Sequence, residues 1–188
     1  MHNALSQRAA ALALITLMSA ATATQAHAQD QRHQHGASAV EVSLDGNMLL
    51  VAWESPLSDL IGFEHAPRTA SEKSQAAQLL ATLQSPSALL TPNPEAQCRV
   101  TKVTTQAPSL MHTEHAHGAH DAHSDLDYAV SYNCAQPKAL AQLRVNAFQT
   151  WPAIKAIEAS LVGPGGQAVQ TLRSQSATID MRGIVATR

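Results

Sequence analysis

The chain has 188 residues, with 12 Lys and Arg against 14 Asp and Glu, and its formal net charge is −2 when histidine is neutral. This balance excludes a basic field of the kind that attracts nucleic acid or an anionic membrane surface. The length suits one domain with a modest hydrophobic core.

The N-terminal segment has the features of a secretory signal peptide. Arg8 precedes the apolar stretch 9–21, and the small-residue triplet Ala-His-Ala at 26–28 follows. We therefore predict cleavage after Ala28 and export to the periplasm. The apolar stretch is shorter than the roughly 18 residues of a membrane span, so we expect no membrane anchor. Loss of Arg8 would leave the single predicted domain, 29–188, with 11 basic and 14 acidic residues and a charge of −3.

A β-hairpin is predicted at the start of this domain. Apolar residues alternate with polar ones from Val40 to Leu44, and the turn signal Asp45-Gly46-Asn47 follows. The second strand, from Met48 to Trp53, is apolar on both faces. We therefore expect another layer to cover the face that the first strand leaves open.

Residues 70–84 are predicted to form an amphipathic helix that supplies this cover. Thr69 and Glu72 have the spacing of a capping box, and apolar residues then recur at helical spacing as far as Leu83. Ser85-Pro86 should end the helix.

Six further strands are predicted from alternating apolar residues. The first begins near Cys98, and the others span 126–134, 143–148, 154–162, 167–173 and 177–181. The predicted fold class is α+β, in which a mostly antiparallel β-sheet carries one long amphipathic helix and a long histidine-rich loop joins two strands.

Cys98 and Cys134 each lie in a predicted strand. An even pair of cysteines in an exported protein favours a disulfide, which would stabilise the fold by about 2–4 kcal/mol. The alternative is a pair of thiolate metal ligands, which export and the lack of CxxC spacing disfavour.

A connection of about twenty residues, approximately 106–125, joins the two cysteine-bearing strands, whereas hairpin loops ordinarily have about 2–5 residues. Its histidines are His112, His115, His117, His120 and His123. Neutral imidazole, together with nearby carboxylates, suits Zn²⁺ and also Cu²⁺ or Ni²⁺. The alternative is a solvated polar loop whose histidines respond to pH. We predict that the loop binds metal.

Two more histidines, His33 and His35, lie close to the predicted mature N-terminus. With the loop they provide seven predicted ligands, enough for one closed site and one open site, so we expect one to two Zn²⁺ ions per chain. His65 is interpreted as a structural histidine that bonds the local backbone or Glu54. Neither these two residues nor Glu64 is included among the predicted ligands.

No catalytic motif accompanies these histidines. The sequence has no HExxH and no GxSxG, and it shows no paired acids at helical spacing on a rigid element, so we predict that the protein is not an enzyme. Two other functions compete with zinc binding. One is a periplasmic copper- or nickel-binding or metal-buffering protein, and the other is a non-metal adaptor module that docks a transporter.

Five stretches of the mature chain together form a distinctive pattern, namely HQHG (33–36), ESPLSDLIGFEHAP (54–67), TASE (69–72), DYAVSYNC (127–134) and FQTWP (148–152). With the histidine-rich loop, they resemble the ZrgA-type family of bacterial periplasmic zinc uptake proteins, although Trp151-Pro152 replaces the family's usual Phe-Pro. The resemblance implies a role in zinc acquisition, with delivery of zinc towards an ABC-type importer or its binding protein. Because the family's histidine-rich loop varies in length and composition, only the histidines present in this chain are carried over.

Overall fold

The computed structural model describes residues 36–111 and 125–185, and within these ranges the chain is mostly β with few helices. The strands are β1 (Ala37–Asp45), β2 (Met48–Pro56), β3 (Leu90–Pro92), β4 (Cys98–Gln106), β5 (Asp125–Cys134), β6 (Gln142–Val145), β7 (Ala156–Gly163), β8 (Gly166–Leu172) and β9 (Thr178–Asp180). The α-helices are α1 (Leu57–Ile61), α2 (Ala70–Thr82), α3 (Pro108–Met111) and α4 (Ala147–Thr150).

The strands form two sheets. The larger has six strands in the order β4-β5-β2-β1-β7-β8, and the smaller has three in the order β3-β6-β9. Among the described strands, every pairing is antiparallel except that of β1 with β7, which is parallel. The larger sheet is therefore mixed, although the antiparallel pairing predicted from sequence accounts for most of it.

The core lies on one face of the six-stranded sheet, which we call the inner face. Strand alternation sends Val40, Val42 and Leu44 inward, and these side chains join one hydrophobic cluster with residues of the smaller sheet and of α2. Trp53 lies in this cluster with its ring centroid 5.0 Å from that of Trp151. The inner face is thus buried by the smaller sheet and the helices together.

Tyr128 connects the sheet to the end of α2. Its hydroxyl donates a hydrogen bond of 2.9 Å to the carbonyl oxygen of Leu83, and burial raises the pKa of Tyr128 to about 12. The phenol therefore remains a neutral donor at physiological pH, and it satisfies one of the carbonyls that a helix leaves free at its C-terminal end.

Helix α2 confirms the predicted capping box. The Glu72 amide donates to Thr69 Oγ1, and the Thr69 amide donates to Glu72 Oε2. The prediction of a long amphipathic helix over 70–84 is confirmed only in part. Helix α2 ends at Thr82, and within it only Ala76 and Leu79 are buried. Within residues 36–111 and 125–185, no helix is long and apolar enough to span a membrane.

The prediction that other layers cover both faces of β2 is wrong within the described part of the chain. α2 packs on the inner face through Leu79, whereas Met48 and Leu50 on the opposite, outer face are 58% and 39% exposed. The apolar sequence of β2 therefore predicted more burial of this strand than the structure shows.

The strand predicted for 143–148 is divided into β6 and α4. Asn146 lies at the division, where its backbone amide donates to the Leu89 carbonyl and its side-chain amide donates to the Ser87 carbonyl. These bonds hold the chain in a turn that alternating hydrophobicity alone does not reveal. The two hairpins, β1–β2 and β7–β8, confirm the predicted pairs.

The predicted disulfide between Cys98 and Cys134 is present. The two residues are directly opposite each other in the β4–β5 ladder, with 3.8 Å between their Cα atoms. The ladder ends at the pair of Gln106 with Asp127, beside the histidine-rich connection. The disulfide therefore closes the β4–β5 unit at the end away from that connection.

Gln170 joins the edge strand β8 to the smaller sheet. Its side-chain Oε1 accepts a hydrogen bond from the Asp180 amide, and its Nε2 donates to the Asp180 carbonyl, at 2.9 and 2.7 Å. The Gln170 side-chain amide thus forms the two hydrogen bonds with Asp180 that the backbone of a neighbouring strand would form.

Replacement of both cysteines by alanine is expected to lower the free energy of unfolding by about 2–4 kcal/mol, because the open chain gains entropy when a 36-residue separation is no longer closed. Urea unfolding followed by circular dichroism measures the loss. Reduction of the native protein should reproduce it, and equal stability of the oxidised protein and the alanine variant would contradict the prediction.

Gln170→Glu is expected to destabilise the protein by about 1–3 kcal/mol at pH 7, because a carboxylate oxygen would then face the Asp180 carbonyl. Near pH 4 the protonated acid can donate to that carbonyl, so the deficit relative to wild type should shrink. Gln170→Met, which cannot titrate, is the matched control. The prediction fails if the deficit of the Glu variant does not depend on pH when compared with this control.

Candidate functional site

The seven predicted metal ligands lie outside the described residues. They are His33, His35, His112, His115, His117, His120 and His123. The structure describes the residues next to the two histidine-bearing segments. Gly36 follows the first segment, and Met111 and Asp125 flank the second.

Gly36 and Asp125 lie at one end of the six-stranded sheet, and Met111 ends the short helix α3 that follows β4. Gln106 pairs with Asp127, Asp127 pairs with Glu54, and Glu54 pairs with Ala39, which defines one row across β4, β5, β2 and β1. β5 and β1 are two strand spacings apart, or about 10 Å. Both β1 and β5 begin at this end, and β4 ends there. Gly36 and Asp125, to which the two histidine-bearing segments are joined, therefore lie at the same end of the sheet.

The start of β1 is held by a buried carboxylate. Asp59 in α1 is 7% exposed, and its Oδ2 accepts a hydrogen bond of 2.6 Å from the Gly36 amide. Gly36 has φ +81°, and a Cβ at this position would lie 3.2 Å from Cγ of Lys155. Glycine is therefore favoured here, and the point at which the N-terminal segment joins the sheet is held firmly.

His65 follows α1 at the same end of the sheet. Its Nδ1 lies 2.9 Å from the Ala66 carbonyl oxygen, its ring stacks on Phe63, and its Nε2 is 4.0 Å from Oε1 of Glu72. The backbone bond is consistent with the predicted structural role, but the neighbouring carboxylate is Glu72 rather than Glu54. Hydrogen bonds from the backbone amides of Thr69 and Arg68 lower the pKa of Glu72.

Glu64, which sequence analysis left out of the ligand set, accepts a hydrogen bond of 2.8 Å from Ser58 Oγ. Both cysteine sulfurs are used in the disulfide. Among the described residues, no group of three or more His, Cys, Asp or Glu side chains could hold a metal ion. Within those ranges, the groups near the predicted site are anchoring groups rather than a ligand set.

The outer face of the six-stranded sheet forms a depression of about 860 Å³, lined by the strands and by Arg173. Four carboxylates line it around a floor of small side chains, and we call this surface the acidic trough. The carboxylates are Glu41, Glu54, Asp127 and Glu158, and the central floor residues are Ala39, Ala52 and Ala129. The trough includes the row of residues at the end of the sheet that adjoins the histidine-bearing segments.

The acidic trough places like charges close together. Glu54 and Asp127 are directly opposite each other on neighbouring antiparallel strands, where Cβ atoms are typically about 4.5–5.5 Å apart. Glu158 pairs with Ala39 on β1, which in turn pairs with Glu54, so Glu158 lies two strands beyond Glu54. None of the four carboxylates forms an ion pair with another described side chain. Such an arrangement costs stability unless a cation neutralises it.

Sequence analysis did not identify the trough. Each of the four acids occupies an outward position of an alternating strand, which normally indicates only a solvated face. Their proximity depends on the register between strands that are distant in sequence. The signal that could have indicated it was the combination of acids and alanines on the same faces of β1, β2 and β5.

Comparison with known proteins gives one family match. Residues 32–181, which are 150 of the 188, match the family model described as "ZrgA family zinc uptake protein". No curated protein matches the chain. The family match includes both cysteines, the segment from Glu54 to Pro67 and all seven predicted histidine ligands.

Glu54→Gln is expected to raise the free energy of unfolding by about 0.2–1 kcal/mol, because it removes the cross-strand repulsion with Asp127. Thermal unfolding at low salt measures the gain, which should decrease in 0.5 M NaCl as screening weakens the repulsion in the native protein. Asp45→Asn, an exposed change opposite Met48, is the matched control. A gain no larger than that of the control would show that the trough carries no net repulsion.

Proposed function

Because the chain belongs to the ZrgA family of zinc uptake proteins, we propose that it is an exported zinc-binding protein without catalytic activity. It captures Zn²⁺ on the histidine-rich segment 112–124, with His33 and His35 as further ligands. It then passes the ion towards an ABC-type zinc importer or its binding protein.

The position of Gly36 and Asp125 at one end of the sheet, each next to a histidine-bearing segment, is the observation that supports this proposal most directly. The row from Gln106 to Ala39 sets their attachment points about two strand spacings, or roughly 10 Å, apart. A seven-residue segment before Gly36 and a thirteen-residue segment between Met111 and Asp125 are each long enough to cross that distance, since an extended residue spans about 3.3 Å. Ligands from both can therefore reach one ion.

Capture followed by release requires moderate affinity. A segment that wraps an ion loses backbone freedom at a cost of roughly 1–2 kcal/mol per ordered residue. This cost offsets part of the metal–ligand energy, so we expect dissociation constants between micromolar and nanomolar, about −8 to −12 kcal/mol. Such a range suits transfer to another protein better than permanent retention.

We expect the stability of the fold not to depend on the bound ion. The hydrophobic cluster and the disulfide both lie within residues 36–111 and 125–185. Gain and loss of an ion can therefore occur without unfolding of the domain, unlike in small zinc domains whose folding requires the metal.

Replacement of the five histidines of segment 112–124 by asparagine is expected to remove most of the bound zinc. The mature, oxidised protein should retain one to two ions per chain after dialysis against equal buffered Zn²⁺, Cu²⁺ and Ni²⁺, counted by mass spectrometry. His65→Asn is the matched control, since His65 bonds the Ala66 carbonyl and should not contribute a ligand. Equal retention by the five-histidine variant and the control would refute the proposal, and preferential retention of copper or nickel would change the assigned metal.

The same assay at different pH values identifies the ligand type. Ligating imidazoles must be neutral, so zinc retention should decrease as the pH falls below about 6.5 and protons compete for the ring nitrogens. Retention that stays constant from pH 7.5 to 5 would indicate carboxylate ligands instead.

A further inference from the structure

We propose that the acidic trough is a docking surface for a positively charged, extended segment of a partner protein. The proposal goes beyond zinc binding, because it requires no metal ion and depends only on described residues.

The shape of the trough suits a polypeptide backbone. Its central floor consists of Ala39, Ala52 and Ala129. Because their side chains are short, the sheet surface is recessed here between the longer side chains around it. The strands of this region have nine or ten residues, so the face is long as well as broad. In the described part of the chain, no second layer lies on this face, and its lining comes from the strands and Arg173.

The charge of the trough selects a cationic partner. Four carboxylates line it, and Arg173, beyond the end of β8, is the basic residue of the lining. Glu54 and Asp127 oppose each other directly, so a cation placed between them relieves repulsion in addition to forming new ion pairs. Electrostatic complementarity of this kind accelerates association and determines which partners are accepted.

The span of the carboxylate row matches the distance between residues i and i+4 of an extended chain. Asp127, Glu54 and Glu158 lie in one row that extends from β5 to β7, across three strand spacings or about 14 Å. In an extended segment, side chains at positions i, i+2 and i+4 lie on one face and span about 13 Å. A segment with Lys or Arg at i and i+4 therefore places its outer charges over Asp127 and Glu158, and a charge at i+2 lies about 2 Å along the row from Glu54.

The test uses the mature, oxidised and metal-free protein with a labelled Lys-Ser-Lys-Ser-Lys-Ser-Lys peptide as the probe. Binding is measured by fluorescence anisotropy at 20 and 200 mM NaCl, and amide chemical shifts locate the contact. The test variant is Glu54→Gln with Asp127→Asn. The matched control is Asp45→Asn with Glu95→Gln, which also removes two exposed charges but outside the trough.

We expect the probe to bind wild type more tightly at 20 mM than at 200 mM NaCl, with shifts centred on Ala39, Ala52 and Ala129. The trough variant should bind at least about tenfold more weakly, which corresponds to about 1.4 kcal/mol, and the control should change less than twofold. Thermal melting establishes that both variants are folded.

Three results would overturn the proposal. The first is no binding at 20 mM NaCl. The second is equal weakening in the trough variant and its control, which would indicate nonspecific attraction to an acidic protein. The third is that Zn²⁺ alone produces the same shifts in a protein whose seven predicted ligand histidines are replaced, because the trough would then be a cation site rather than a peptide surface. None of these results depends on whether the histidine-rich segment binds zinc.

Discussion

The pairing of β2 with β5 determines both faces of the six-stranded sheet. In the observed register, Leu49, Val51 and Trp53 lie opposite Tyr132, Val130 and Tyr128 on the inner face. A slip of one residue would turn these side chains towards solvent and carry Glu54 and Asp127 into the core. Each large apolar side chain that is buried contributes roughly 1.5–3 kcal/mol, so such a slip is strongly disfavoured. The same register leaves the two carboxylates directly opposite each other on the outer face.

Local patterns in the sequence predicted the hairpins, the capping box at Thr69 and the partnership of the two cysteines, because each depends on residues close in sequence or on simple cysteine pairing. They did not predict the parallel pairing of β1 with β7, which joins strands more than one hundred residues apart. They also did not predict the separate sheet of β3, β6 and β9, since its strands have only three or four residues.

The candidate site likewise combines features that could be predicted from the sequence with features that could not. The histidines were evident from composition alone, although their positions lie outside the described residues. The acidic trough was not evident, because four acids on four separate strands become neighbours only after the registers of β2 with β5 and of β1 with β7 are known. The trough includes residues at the end of the sheet that holds Gly36 and Asp125, to which both histidine-bearing segments are joined. A surface lined by carboxylates raises the local concentration of cations, so the trough and the predicted metal ligands both favour cations.

The disulfide and the histidine-rich connection lie at opposite ends of the β4–β5 ladder, nine residues of β4 apart, or about 27 Å. The strands are therefore held in register by a bond at the end of the ladder opposite the residues to which this connection is joined. Each doubling in the length of such a segment costs only about 0.6 kcal/mol in closure entropy. Evolution, or a protein engineer, can consequently exchange this segment for one with different ligands or a different length, while the strands on either side keep their pairing.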